Sequence, residues 1–351
     1  LDLLLAEMRL ARDEGSFADA AFDTIYLGGG TPSLAPPAEL GRLLAGARAL
    51  LGARPDAWIT LEANPEHVTA AACAAWRGLG VAALSLGVQS FAAAELRFLG
   101  REHSPEQGAE AVRTALAAGF SWVSLDLIYG LPGQSETSWR RNLETAAALG
   151  PHHLSCYQLT IHDGTPFGFR TRRGEMTEAP EPLQARLFAL TQGVLSALGF
   201  PAYEVSNFAR APELRSRHNR KYWDHTPYLG IGLGAHSFAW DARGPRRWWN
   251  ERKIRPWTAR LTAGQAPVAE TEALTPAALR LEAVLLGLRT TAGIDLERFA
   301  RRYGFDLAAA NRTLLARLAA TGLLECAGGR LRPTRAGMAV ADGLAARCTV
   351  A

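Results

Sequence analysis

From Phe22 onward, short apolar runs alternate with stretches of helical periodicity. "FDTIYLGGG" precedes the amphipathic "PAELGRLLAGARALL", and "WITLEANP" precedes "TAAACAAWRGLG". "VAALSLGVQS" leads into "AAAELRFLG" and "PEQGAEAVRTALAAG", while "WVSLDLIYGLPGQ" leads into "SETSWRRNLETAAALG". "HHLSCYQLT" is followed, after an irregular loop, by "PLQARLFALTQGVLSALGF", and "AYEVSNFA" closes the series. Strands this apolar suit a parallel sheet covered on both faces. Their alternation with helices predicts an α/β fold with crossover helices, open or closed into a barrel.

Polar residues collect late in these strands: Gly28–Gly30 after the first, Glu62 and Asn64 in the second, Gln89 and Ser90 in the third. Asp126 lies in the fourth, and Glu204, Ser206 and Asn207 in the last. In barrel enzymes the carboxyl ends of the strands carry the active site. Three consecutive glycines mark a sharp turn or a close approach of ligand to backbone. No lysine follows them as a P-loop requires, and Ser33 stands at the third glycine of a dinucleotide fingerprint. "GIGLGA", Gly230–Ala235, fits the relaxed fingerprint but follows a poor strand.

Composition narrows the field. With 48% hydrophobic and 21% charged residues among 351, the chain is ordinary globular material for one large domain and a small one. The net charge of +4 is too small to argue for nucleic acid. No apolar run is long enough to span a bilayer, and "LDLLLAEMRLARDEG" is an amphipathic helix, not a signal peptide. Cys73, Cys156, Cys326 and Cys348 form neither a metal spacing nor a disulfide framework, so a reducing cytoplasm is expected.

"YLGGGTPSL", "LEANPEHVT", "LSLGVQSF", "LGREHS", "DLIYGLPGQ", "YQLTIHDGTPF", "YEVSNFA" and "HNRKYW" occur in this order. Together they resemble the oxygen-independent coproporphyrinogen III oxidase-like proteins of the radical S-adenosylmethionine (SAM) superfamily, and most closely their heme-chaperone branch. The resemblance spans nearly the whole chain. It implies a partial (β/α) TIM-like barrel followed by a winged-helix-like α+β domain. It also implies that Gly29, Gly30 and Thr31 take the methionine end of SAM, that Glu62 and Gln89 are cofactor ligands, and that Asp126 holds the ribose. Arg101 would pair with the cofactor carboxylate or with Glu62, since a guanidinium fork suits carboxylates. The family holds a [4Fe–4S] cluster on a Cys-x-x-x-Cys-x-x-Cys loop ahead of the first helix. That loop is absent from this sequence, which begins at Leu1. The expectation is therefore an N-terminal truncation of a longer parent, removing the first strand and the loop, and no cluster on this polypeptide.

"HNRKYW" marks the heme-binding branch. His218 would be the iron ligand, with His225 and His236 in reserve. Asn219, Arg220, Tyr222 and Trp223 complete the heme segment, and Arg215, Arg217, Arg220 and Lys221 could neutralise propionates. The basic, aromatic "GPRRWWNERKIRPW" could stack single-stranded nucleic acid, but no RNA-binding motif accompanies it. The tail ends in the hairpin "LLECAGGRLRPT", with Gly328-Gly329 at its turn, which is a winged-helix pattern. With no basic recognition helix, it is read as a docking module and not as a DNA binder. The expected division is a barrel at 1–210, the heme segment and an Ala/Thr-rich connector at 211–270, and the tail at 271–351. The expected function is a heme chaperone that passes heme to an acceptor protein, with transient contact at a membrane surface. The alternative is oxidative decarboxylation of coproporphyrinogen III.

Overall fold

The computed structural model describes residues 1–351. Six strands make the main sheet: β1 (Phe22–Leu27), β2 (Ala53–Ala63), β3 (Val81–Gln89), β4 (Trp122–Tyr129), β5 (His153–Gln158) and β6 (Asn207–Ala209). They lie side by side in chain order. β1 to β5 pair in parallel, each connection carrying helix, which is the winding of a half-barrel. β3 and β4 are buried almost throughout, as a sheet covered on both faces demands. Their side chains join Trp76, Trp139, Phe200 and Phe208 in one core.

The last strand departs from expectation. Only Asn207–Ala209 is extended, and it runs antiparallel to β5. Its reason is local. The Glu204 carboxylate accepts the Ser206 N–H at 2.9 Å and the Asn207 side-chain amide at 2.7 Å, which bends the chain back on itself. Glu204 and Ser206 therefore lie in a turn ahead of β6 and Asn207 opens that strand, so none of the three stands at the carboxyl end of a parallel strand.

The stretch after the heme segment holds more structure than a connector. β7 (His236–Asp241), β8 (Gly244–Asn250) and β9 (Val268–Ala273) form an antiparallel meander, with a helix at Ile254–Thr262 between the last two strands. β9 is exposed along most of its length, so it carries no apolar alternation to announce it. The first helix, Asp2–Glu14, is tied to this sheet by a buried carboxylate: Glu7 accepts the Gly232 N–H at 3.0 Å and the Asn250 amide at 2.6 Å. "GIGLGA" belongs to this junction. A Cβ on Gly230 would lie 2.2 Å from the His236 carbonyl oxygen, so the glycine serves backbone packing.

The tail carries β10 (Ile294–Asp295), β11 (Leu324–Ala327) and β12 (Arg330–Pro333) over a separate core of Leu, Ile and Phe. The hairpin turns at Gly328 and Gly329, both at positive φ. Backbone bonds join tail to barrel: Val205 N–H to Arg289 at 2.9 Å and Thr291 N–H to Tyr203 at 3.1 Å.

Candidate SAM pocket and heme segment

The carboxyl ends of β1 to β4 converge on one cavity. It gathers Gly29, Gly30, Thr31, Glu62, Gln89, Arg101 and Asp126, the whole set that the family resemblance implied. Glu62 organises its floor. Its Oε1 accepts the Tyr26 hydroxyl at 2.7 Å and its Oε2 accepts the Gly29 N–H at 3.2 Å. Of the two partners expected for Arg101, Glu62 does not pair with it; Arg101 donates to the Asn64 side-chain oxygen at 3.5 Å and lines the same cavity, where the cofactor carboxylate would lie.

The glycines play three different parts. A Cβ on Gly28 would lie 2.6 Å from the Tyr26 ring and 3.0 Å from the Glu62 carboxyl carbon, so this position admits no side chain. Gly29 has φ of 97°, a conformation that L side chains rarely adopt. Gly30 faces open space. At β3 the non-glycine Gln89 has φ of 64°, and a Cβ on Gly87 would lie 2.9 Å from the Gln89 amide nitrogen. Strain of this kind is held only where the surroundings over-determine it. Asp126 accepts the Ser85 hydroxyl at 3.0 Å. Burial pushes its carboxyl up to about 6, against the pull of hydrogen bonds from Ser155 and Ser85 and with the help of the nearby Glu62 charge.

Tyr26, Gly28, Asn64, Ser85, Gly87 and Tyr157 also belong to this site. Gly28 and Asn64 already stand out at strand ends; Tyr26, Ser85, Gly87 and Tyr157 need the sheet. These groups fit SAM. A carboxylate and bare N–H groups suit a zwitterionic methionine end, and a second carboxylate can accept from a ribose diol. The cysteines do not fit a [4Fe–4S] cluster. Cys73, Cys156 and Cys348 are buried apart, Cys326 is on the exposed tail hairpin, and no three candidate metal ligands come together.

The heme segment sits against the same pocket. Residues Asn219–Trp223 form a short helix, and His218 precedes it. The His218 ring stacks on Tyr26 with centroids 5.0 Å apart. Its Nδ1 is 3.0 Å from the Thr24 hydroxyl and its Nε2 is 2.9 Å from the Tyr222 hydroxyl, so both ring nitrogens have partners. Burial depresses its pKa to about 4, reinforced by the Lys221 charge, and keeps the ring neutral at physiological pH. Tyr222 is exposed and Asn219 donates its N–H to the Ser216 hydroxyl at 3.2 Å. Arg220 and Trp223 point the other way, towards the tail.

The two reserve histidines are elsewhere. His225 is buried against the tail, with Nδ1 2.9 Å from the Tyr303 hydroxyl and Nε2 3.4 Å from Glu282, and His236 is exposed and stacked on Trp249. Arg246 and Arg247 on β8 are paired within the chain: Arg246 and the preceding Arg243 pair with Glu14 and Asp241, and Arg247 pairs with Glu282. Trp248 and Trp257 are buried, and the half-buried Trp249 stacks on His236.

Comparison with known proteins agrees with this geometry. The radical SAM superfamily model matches residues 7–146, and the HemN C-terminal domain model matches residues 274–340. The heme chaperone HemW of Mycobacterium tuberculosis is 40% identical over 321 residues, covering 92% of this chain and 79% of the relative. The heme chaperone HemW of Bacillus subtilis is 32% identical over 303 residues, covering 86% and 79%. Among solved structures, the coproporphyrinogen III oxidase HemN of Escherichia coli superposes with a TM-score of 0.82 at 23% identity, over 99% of this chain and 81% of that one, a likeness of fold. No helix is long and apolar enough to cross a membrane. The half-barrel, the pocket at its strand ends and the relatives that match across most of the chain converge on one assignment: the chain belongs to the HemW heme-chaperone family of the radical SAM superfamily.

Proposed function

We propose that this chain binds heme through the His218–Trp223 segment and passes it to an acceptor protein, with SAM held at the strand ends by Gly29, Gly30, Thr31, Glu62, Gln89, Arg101 and Asp126. The observation that carries the reading is the join between the two sites: His218 stacks on Tyr26, and the Tyr26 hydroxyl donates to Glu62. Glu62 and His218 are thereby linked by two direct contacts through Tyr26. His218 is the iron ligand in this reading. Its Nε2 would reach the iron by giving up its contact with the exposed Tyr222 hydroxyl, while its Nδ1 keeps the Thr24 hydroxyl. Bound SAM would supply its sulfonium centre, and the residues named here would orient it. The radical SAM family implies a [4Fe–4S] cluster, and no three of this chain's cysteines come together to hold one. The barrel at 1–210, the heme segment at 211–270 and the docking tail at 271–351 divide these tasks.

The rival reading, oxidative decarboxylation of coproporphyrinogen III, has the same fold in its favour. Heme titration separates the two. The wild-type chain is expected to bind hemin saturably, and His218→Ala to shift or erase the Soret band, because the axial nitrogen is lost. An unaltered spectrum in that variant would move the ligand to another residue. Absence of saturable binding by a folded wild-type chain would turn the reading towards the oxidase.

A further inference from the structure

We infer that the tail completes the heme site, by forming with the heme segment a pocket that takes the propionate edge of the tetrapyrrole. The proposal rests on the heme-chaperone reading and extends it to residues outside the "HNRKYW" stretch. The cavity lies where the short helix meets the tail. Arg215 and Arg220 enter it from the heme segment, and Arg298, Arg302 and Arg330 from the tail. The only carboxylates lining it are Asp224 and Asp295.

The five guanidinium groups are unequally satisfied. Arg330 is bound to Asp295 at 3.0 Å, and Arg302 donates to the carbonyls of Asp224 and His225 at 2.7 Å. Arg298 is only 4.0 Å from Asp224 at its nearest, and its side chain is largely exposed. The Arg220 guanidinium has no ion pair or hydrogen bond within the chain, and that of Arg215 only packs over the Tyr203 ring at 5.5 Å. Positive charge thus remains uncompensated on both walls. Guanidinium groups crowded together repel one another unless an anion lies between them. Planar forks facing one cavity suit carboxylates, which they can bind bidentately.

The rest of the lining fits the other half of such a ligand. Half-buried Trp223 and Tyr303 supply aromatic surface beside the charges, backed by the buried rings of Tyr203 and Phe299. An amphipathic dicarboxylate with a flat apolar body matches both. The two basic residues left out of the pocket sharpen the assignment. Lys221 is paired with Asp23, and Arg217 lies over the Trp58 ring at 4.2 Å. Of the four basic residues near the segment, only Arg215 and Arg220 are presented to the tail.

The test is a parallel titration of the full chain with hemin and with hemin dimethyl ester, whose propionates are uncharged. Arg298→Glu is the main variant, because its side chain is exposed and lies outside the heme segment. Arg298→Lys is the conservative partner, and Arg312→Glu, exposed elsewhere on the tail, is the control. Wild-type chain is expected to prefer hemin over the ester. Arg298→Glu is expected to lose about tenfold in hemin affinity, with little change for the ester, and Arg298→Lys to recover part of the loss. Arg312→Glu should match wild type. Unchanged hemin binding by Arg298→Glu, or an equal loss for both ligands, would overturn the tail's role and leave the chaperone reading standing. Failure of the wild-type chain to bind hemin would overturn both. Thermal melts of each variant verify that the fold is retained.

Discussion

The strand-end pocket and the junction pocket solve opposite electrostatic problems. In the first, charge is satisfied inside the protein: Tyr26 and Gly29 hold Glu62, Ser85 holds Asp126, and Asn64 receives Arg101. In the second, Arg215, Arg220 and Arg298 face a shared space with weak partners or none. The first geometry is preorganised by buried strands, so a small polar ligand meets donors and acceptors that scarcely need to move. The second is assembled from segments about a hundred residues apart and depends on the tail being docked. The lesson is that shape is built into the sheet, while net charge is held in reserve at the interface.

The largest expected effect comes from the tightest part of the strand-end pocket. Gly28→Val puts a Cβ within 3.0 Å of both Tyr26 and Glu62, so it should cost about 1–3 kcal/mol of stability and abolish SAM binding. Denaturant unfolding and calorimetric titration check it. Gly30→Ala provides the contrast: with open space around the position, stability should stay within about 0.5 kcal/mol of wild type. Equal losses at the two positions would show that the turn as a whole, and not the Gly28 contact, matters.

A smaller effect is expected at the join between the sites. Tyr26→Phe keeps the stack on His218 and removes the hydroxyl that holds Glu62, so SAM affinity should fall by about 1 kcal/mol, roughly fivefold. If heme and SAM sites are coupled through this residue, prior saturation with SAM should alter the wild-type hemin titration and alter that of Tyr26→Phe less. Identical shifts in both proteins would remove Tyr26 from the path.

The last test is a pH dependence to which Asp126 contributes. Its folded pKa, about 6, lies above the ordinary value of 3.8, so the folded state keeps a proton that the unfolded state has released. The contribution of this group to stability is therefore present below about pH 4 and falls as pH rises through about 6. Asp126→Asn should remove that fall, so the difference in unfolding free energy between variant and wild type grows in favour of the variant from pH 4.5 to pH 7. A difference that stays flat across this range would show that Asp126 is solvated as an ordinary carboxylate.

What could be read from the residues follows from periodicity and from chemistry placed at strand ends. The parallel order of β1 to β5, the tail hairpin at Gly328-Gly329 and the gathering of Glu62, Gln89 and Asp126 at one cavity were legible because apolar runs and late polar residues are local signals. The antiparallel return of β6 was not, since it depends on the Glu204 carboxylate turning the chain through Ser206 and Asn207. β9 was hidden because an exposed edge strand needs no apolar alternation. Nor could the sequence say that Gly28, and not Gly30, is the position without room, or that His218 already has a partner on each nitrogen. Residue types and their spacing determined which chemistry the chain carries. Which groups meet, which are neutralised and which stay open was decided only when β1, the heme segment and the tail came together, because hydrogen bonds and ion pairs act over a few ångströms between residues far apart in sequence.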